Sequence, residues 1–487
     1  MTSNPDSGTD SGTMPLSRRV GLFVGVVLLA ITVLVPAPEG LSEPAWAALG
    51  LMLLMASWWS TEAIPIPATA LVPIVLVPAL GLGSVKEATS SYANPIIFLF
   101  LGGFTLGLAM QRWNLHRRIA LHILLIVGTS PKRQIAGFML ATAFLSMWVS
   151  NTATTIMMLP IGLSVLSMVD ARDEASKWRF GVALMLAIAY AASVGGIATL
   201  IGTPPNALLA GYLSENQDIA VGFAQWMVIG VPVSVVMLAL IWFWLTRTDF
   251  GIRDSAETGD SIRDELDDLG RMTTAEKRVA VVFGLTAMAW IFRPLVTEDL
   301  MPWLSDTVIA IFAAVVLFLL RSGQRDGHAL MDWETARDLP WGVLLLFGGG
   351  LALAGVISSS GLADAIAGSL SGLGALPVIL MIGLVVMVII FLTEVTSNTA
   401  TAAAFLPLLG ALAVSQGVAP LLLTVPAAIA ASCAFMMPVA TPPNAIVFGS
   451  GNLAISDMIR AGFVLNLTGI VVVTLLSYLL LGVAFTY

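Results

Sequence analysis

Ser150-Asn151-Thr152-Ala153-Thr154 recurs as Ser397-Asn398-Thr399-Ala400-Thr401, and each copy interrupts a long apolar stretch. About fifty residues further on, each copy is followed by a second shared string, Thr203-Pro204-Pro205-Asn206-Ala207 and Thr441-Pro442-Pro443-Asn444-Ala445. Duplicated breaks in hydrophobic segments, at corresponding positions of two halves, are the pattern by which the binding site of a secondary transporter is written into its chain.

The rest of the composition agrees with a membrane setting. Hydrophobic residues make up 57% of the chain and charged ones 11%, with a mean hydropathy of +0.93. That is more apolar surface than one soluble core could bury, so an all-α polytopic membrane protein is expected. Cys433 is the lone cysteine, which excludes an intrachain disulfide and a cysteine-based metal cluster. His116, His122 and His328 are scattered; the first two are assigned to a basic loop, where solvated or interfacial histidine is the ordinary reading. Residues 1–19 are expected to be a disordered cytoplasmic tail, because the first 17 are rich in Ser, Gly, Asp and Thr. Arg18-Arg19 and the apolar run Val20 to Val35 superficially resemble a secretory signal, but the many later spans favour a retained first helix.

Apolar windows read against Gly, Pro and charge punctuation give spans at 20–36, 43–60, 64–82 and 95–111, a hairpin at 134–169, then spans at 178–211 and 223–246. After a polar linker come 278–296, 306–320 and 341–358, a second hairpin at 376–412, and spans at 420–448 and 461–485. If both hairpins re-enter without crossing, there are eleven transmembrane helices, with the N-terminus inside and the C-terminus outside. That arrangement puts 20 of the 22 Lys and Arg on the cytoplasmic side and leaves only Lys86 and Arg293 outside. Making either hairpin cross would scramble the asymmetry, so the re-entrant topology is preferred. The charged linker 247–277 is read as a solvated cytoplasmic connection between halves.

One register relates the halves. The offset that carries Ser150 to Ser397 also pairs Phe100 with Phe347, Gly102 with Gly349, Leu115 with Leu362 and Ile119-Ala120 with Ile366-Ala367. The Thr-Pro-Pro-Asn copies need a nine-residue shortening, assigned to the loop between. Because the first hairpin enters from the cytoplasm and the second from outside, the repeat is inverted, and its paired elements should meet at the bilayer midplane. Chance Ser/Thr-rich helix packing is the alternative, but it predicts no shared register. The glycines at 102–103 and 348–350 are read first as close helix packing, then as hinges.

Thr-Pro-Pro-Asn cannot continue a helix, so the chain unwinds there and freed carbonyls face a cavity. Asn and Thr side chains add oxygens suited to a hard monovalent cation and N–H and O–H donors suited to an anion. Half-helices starting after Ser-Asn-Thr bring positive dipole ends to the same place. No Lys, Arg or His lies in or immediately beside the four motifs. A dianion held there by neutral groups alone carries a heavy desolvation cost, so cations should bind with it, and sodium suits the oxygen ligands. Glu394 is the nearest titratable group; it is read as a structural hydrogen-bond partner inside the second hairpin, with proton coupling as the alternative. Glu62 is read as a cap or interfacial residue rather than part of the substrate path.

Both Ser-Asn-Thr strings, both Thr-Pro-Pro-Asn strings, Trp58-Trp59 through Pro67, and Arg112-Trp113-Asn114-Leu115-His116-Arg117-Arg118-Ile119-Ala120-Leu121 together resemble the divalent anion/sodium symporter family, the sodium-coupled dicarboxylate and citrate carriers. The resemblance runs from about residue 45 to the end. It implies a homodimer with a fixed scaffold (20–111 and 278–358) and a transport domain (134–246 and 376–487) that slides as an elevator. One sodium site would be built from Ser146, Ser150, Asn151 and the backbone of Gly202, and its mirror from Thr393, Asn398 and the backbone of Ala440. The substrate carboxylates would be held by Ser150, Asn151, Thr152, Thr203 and Pro204 on one side, and by Ser397, Asn398, Thr399, Thr441 and Pro442 on the other.

Sulfate, taurine, succinate and citrate carriers share this frame, and a four-carbon dicarboxylate is the default because two half-sites suit one small molecule with two anionic ends. A sodium-independent exchanger is the runner-up, although the cation positions keep oxygen ligands. A passive anion channel would need a continuous polar lining instead of breaks near mid-depth. An enzyme would need an activated nucleophile or a metal constellation in the spans, and neither is present in the sequence. No organic cofactor and no nucleic-acid partner are expected; the partners are sodium, a small dicarboxylate and the lipid of the cytoplasmic membrane.

Overall fold

The computed structural model describes residues 15–252, 256–324, 327–369 and 376–485. The described residues form helices and no strand; the only β-type contacts are isolated bridges, Ala171 with Ile252 and Arg321 with Ala329. Nine described helices are long and apolar enough to cross a membrane, and shorter apolar helices lie at Ile66–Ala79, Asp306–Leu319, Val378–Thr393 and Leu421–Ala430. A helix closes its own backbone hydrogen bonds, the condition for standing in hydrocarbon. Large apolar side chains such as Phe23, Phe243 and Phe312 point outward, a surface suited to lipid rather than water.

The repeat read in the sequence reappears in the element boundaries. Pro95–Arg112 and Leu115–Val127 correspond to Trp341–Ser359 and Leu362–Ser369. The first hairpin, Pro131–Ser146 with Asn151–Met168, has its counterpart in Val378–Thr393 with Asn398–Ser415, every boundary displaced by the same register. A broken helix follows each hairpin: Glu174–Ile197 with Pro204–Asn216, and Leu421–Ala430 with Pro442–Phe448. Proline opens the second arm of both, where a missing N–H costs nothing and the fixed φ suits a first turn.

The nine-residue difference is not in the loop, as expected above, but inside the broken helix. The connections between hairpin and broken helix have equal length, whereas the first arm shortens from 24 residues to 10 and the unwound stretch after it lengthens from six residues to eleven, a net loss of nine.

Three further expectations are corrected. Of the tail 1–19, residues 1–14 lie outside the described residues, and Leu16 already begins the helix Leu16–Leu34. The basic loop holding His116 and His122 is helix Leu115–Val127, whose strongly one-sided apolar pattern lets it lie along the body. Asn114, in the left-handed region at φ 57°, turns the chain into it. The linker is not wholly solvated either: Ala256–Asp268 is helical and packs on Leu115–Val127.

Ion pairs explain that docking. Arg117 reaches Glu265 at 3.1 Å, and Arg118 donates from Nε to Glu276 Oε1 at 2.5 Å, with the Glu276 side chain only 3% exposed. Arg112 binds Asp332, and the Trp113 indole donates to the Leu330 carbonyl at 2.7 Å. Removing the arginine from the buried pair leaves an uncompensated carboxylate. Arg118→Ala is therefore expected to destabilise by roughly 2–3 kcal/mol. Arg263→Ala, which breaks an exposed pair with Asp260, should leave the melting temperature in detergent unchanged. Equal melting of the two variants would remove Arg118 from this role.

The paired glycines are packing positions. A Cβ on Gly102 would lie 2.5 Å from the Ala310 carbonyl carbon, and one on Gly349 would lie 2.3 Å from the Ala70 carbonyl oxygen. Two helix crossings thus use the same repeat position for close approach.

Candidate functional site

All four motifs meet in one cavity of about 820 Å³. Ser150, Asn151 and Thr152 face it from the first hairpin and Ser397, Asn398 and Thr399 from the second; Thr203 with Pro204 and Thr441 with Pro442 face it from the two breaks. All ten substrate residues expected from the sequence therefore share one wall system. Trp59, Ile66, Phe104 and Val343 supply an apolar side, which motif reading did not identify.

The motifs turn toward the cavity because each begins a helix. Ser150 is the N-cap of Asn151–Met168, and its Oγ accepts the Ala153 N–H at 3.3 Å. Thr441 accepts the Asn444 N–H in the same manner at 3.2 Å. Ser397 and Thr203 occupy the corresponding cap positions of Asn398–Ser415 and Pro204–Asn216. The helices of 13 or more residues among these bring unpaired N–H groups and positive dipole ends to the cavity, which favours an anion there without any formal charge.

Behind the wall, the hydrogen bonds are mirrored. Ser146 Oγ donates toward Asn151 Oδ1 and lies 2.7 Å from the Ala192 carbonyl oxygen; Thr393 Oγ1 lies 2.7 Å from Asn398 Oδ1 and 3.0 Å from the Ala431 carbonyl oxygen. Ser146 and Thr393 are fully buried and do not line the cavity, whereas Ser150, Asn151, Gly202, Asn398 and Ala440 do. The expected sodium ligands thus supply neutral oxygens on the cavity wall and just behind it, a donor set that suits a hard monovalent ion. Gly196, absent from the sequence-based reading, shapes the donor set of the first repeat. A Cβ at this position would lie 2.8 Å from Asn151 Oδ1 and 2.9 Å from the Gly202 carbonyl oxygen, so those two oxygens converge on the space a side chain would take.

The asparagines of Thr-Pro-Pro-Asn do something other than the ligand role the motif suggested. Asn206 Nδ2 donates to the Gly196 and Thr199 carbonyls at 3.3 and 2.8 Å, and Asn444 Nδ2 to the Ala434 and Met437 carbonyls at 3.2 and 3.0 Å. Each ties the two ends of its break together, and neither lines the cavity. Their Oδ1 atoms are buried with no hydrogen-bond partner in both copies.

Among the described residues, charge lines the cavity only at Arg18 and Glu62. Arg18 and Glu62 line the cavity where Leu16–Leu34 begins and Glu43–Thr61 ends, 3.3 Å apart and about half exposed. Glu62 caps its helix in the left-handed region at φ 48°, as a cap reading requires, and also lines the entrance, which that reading did not include. Arg18 was legible only as a flank of the first span. The cavity floor at the four motifs carries no charged side chain. Glu394 stands away from the cavity and accepts N–H bonds from Phe435, Met436 and Met437 at 2.7–3.0 Å and from Asn466 Nδ2 at 2.8 Å, the structural role read for it above. Among the described residues, no group of three or more His, Cys, Asp and Glu could hold a metal.

Comparison with known proteins agrees with this architecture. Residues 16–483 match the family described as the sodium:sulfate symporter transmembrane region. The chain is 46% identical over 479 residues to the sodium-dependent dicarboxylate transporter SdcS of Staphylococcus saprophyticus, covering 96% of this chain and 92% of that protein. SdcS of Staphylococcus aureus is 44% identical over 473 residues, covering 95% and 91%. Among solved structures, the YdaH transporter of Alcanivorax borkumensis has a TM-score of 0.59 at 16% identity, over 97% of this chain and 99% of that one. MtrF of Neisseria gonorrhoeae has the same TM-score at 15% identity, over 96% and 95%. At such identities the likeness concerns the fold alone.

Proposed function

Because the chain belongs to the sodium:sulfate symporter family, whose members are transporters and not enzymes, we propose that it moves a four-carbon dicarboxylate of the succinate, fumarate or malate type across the cytoplasmic membrane together with sodium. The observation that carries this reading is the cavity whose floor is walled by two mirrored, uncharged half-sites. Each half-site offers hydroxyl, amide and helix-terminal N–H donors to one carboxylate, which suits an anion with two separated charges better than a compact one. With no cation among the floor residues, neutralisation falls to sodium, carried as cargo at Ser146, Ser150, Asn151 and Gly202 and at Thr393, Asn398 and Ala440. The names of the SdcS relatives support the same pairing of dicarboxylate with sodium.

On this proposal, eleven helices cross the bilayer, the two hairpins re-enter from opposite sides, and the N-terminus lies inside with the C-terminus outside. The hairpins and broken helices travel as one body against a scaffold, in the manner of an elevator, within a homodimer. The family's description names sulfate, so a compact divalent anion is the second reading.

Uptake of labelled succinate into proteoliposomes tests both. Replacing external sodium by choline should abolish uptake, and excess unlabelled fumarate or malate should suppress it while sulfate does not. Undiminished uptake in choline would refute symport, and suppression by sulfate alone would move the assignment to the compact anion.

A further inference from the structure

A second pocket, of about 220 Å³, lies on the arginine-rich membrane face, away from the central cavity. Three separate helices close it: Glu174–Ile197 near its start, Phe223–Thr246 at its end and Ile455–Ala484 at its start. Its rim carries Arg179, Arg247 and Arg460, all exposed, and its floor is apolar, with Leu186, Leu245 and Phe250.

Two features mark the pocket as interfacial. Trp178 and Trp244 stand at its edge, the first 45% exposed. Tryptophan at the ends of long apolar helices sits at headgroup depth, where its ring meets hydrocarbon and its polar edge meets water. Phe243, beside Trp244, points outward at 66% exposure, so hydrocarbon continues directly from the pocket rim.

The electrostatics call for an anion. None of the three guanidiniums forms an ion pair among the described residues. Arg179 donates to Ser176 Oγ at 3.0 Å and is attracted to the nearby Asp173 carboxylate without a direct ion pair, and Arg247 lies over the Trp244 ring. Among the described residues Asp457 is the one carboxylate in the lining, and its Oδ2 is engaged by the Ala454 N–H at the start of its own helix. Three planar guanidinium forks around an apolar floor match a phosphate diester in both charge and shape.

We propose that this pocket binds the phosphoglycerol headgroup of an anionic phospholipid, with the arginines on the phosphate and the acyl chains passing outward beside Phe243. A soluble phosphate would satisfy the arginines but would leave the apolar floor and the hydrocarbon-facing rim unused. Bound lipid would fasten together three helices, of which Phe223–Thr246 already packs on the other two. The inference needs the chain to be embedded in a membrane and does not depend on which anion is carried.

Thermal melting of the whole protein in uncharged detergent tests it, with phosphatidylglycerol, phosphatidylcholine, inorganic phosphate or glycerol 3-phosphate added. Phosphatidylglycerol should raise the midpoint, whereas phosphatidylcholine and both soluble phosphates should not. The double variant Arg247→Gln/Arg460→Gln should bind phosphatidylglycerol roughly thirtyfold more weakly, at about fivefold for each charge near an anionic lipid surface. Its midpoint without lipid should fall only slightly, through loss of the exposed contact of Arg247 with the Trp244 ring, because both side chains otherwise face solvent. Arg263→Gln, an exposed arginine outside the pocket, should keep the full lipid response. An equal shift by phosphatidylcholine, an equal shift in the double variant, or reproduction of the shift by inorganic phosphate would each overturn the proposal.

Discussion

Gly196→Ala is expected to raise the sodium concentration needed for half-maximal succinate uptake by at least about tenfold while the protein still folds. The added methyl would stand 2.8 Å from Asn151 Oδ1 and 2.9 Å from the Gly202 carbonyl oxygen. These are closer than a carbon normally approaches oxygen, so one or both must retreat. A sodium ion gains its binding energy from several oxygens held at short, matched distances, and displacing one by a few tenths of an ångström undoes that match. The mirror site provides the control. Its position equivalent to 196 is Ala434, which already carries a methyl. Ala434→Gly should therefore change sodium dependence far less than Gly196→Ala. The two sites would then be equivalent in ligands and unequal in tolerance. Sodium titration of uptake, with melting to verify folding, measures both. If Gly196→Ala keeps the parent's sodium curve, the oxygens of Asn151 and Gly202 do not form a cation site.

Glu394→Gln is expected to be the most destabilising conservative change in the second half. The carboxylate spans the unwound stretch after Leu421–Ala430, collecting the N–H groups of Phe435, Met436 and Met437 together with the Asn466 amide. Those backbone donors are freed by the break and have no helical partner. A glutamine presents one oxygen and one NH₂, so at least one donor would face another donor in a site only 4% exposed. Unmet buried donors cost about 1–3 kcal/mol each, so a loss of roughly 3 kcal/mol or more is expected in detergent melting. Asn466→Ala removes only one of the four donor groups and should cost about 1 kcal/mol. The comparison also decides between scaffolding and proton coupling. Should Glu394→Gln melt like the parent and lose only the pH dependence of uptake, Glu394 would be a coupling residue and not a brace.

The lessons for reading such chains lie in particular residues. Ser150, Asn151, Ser397 and Asn398 could be placed in one site from the sequence, because proline, duplicated register and helix-capping residues act through local backbone geometry. Asn206 and Asn444 stand in the same motifs with the same amide chemistry, yet they face the loop carbonyls behind the cavity. Which way an amide points from an unwound segment depends on the path of the break, and composition does not encode that path. The nine-residue difference between halves was visible as a number and misplaced, since a shortened helix and a shortened loop give the same offset.

Chain order alone therefore determined that the protein is helical, membrane-like and doubled, and which four strings belong to its centre. Those properties follow from hydropathy, the positions of proline and the spacing of repeats, each of which acts over a few residues or is a plain count. Only the tertiary structure decided that Arg18 and Glu62 stand at the cavity mouth, that Gly196 lets two oxygens converge, and that Glu394 gathers the donors of a distant break. Each of these depends on residues far apart in the chain coming within a few ångströms, and that proximity is set by the packing of whole helices rather than by any neighbourhood in the sequence.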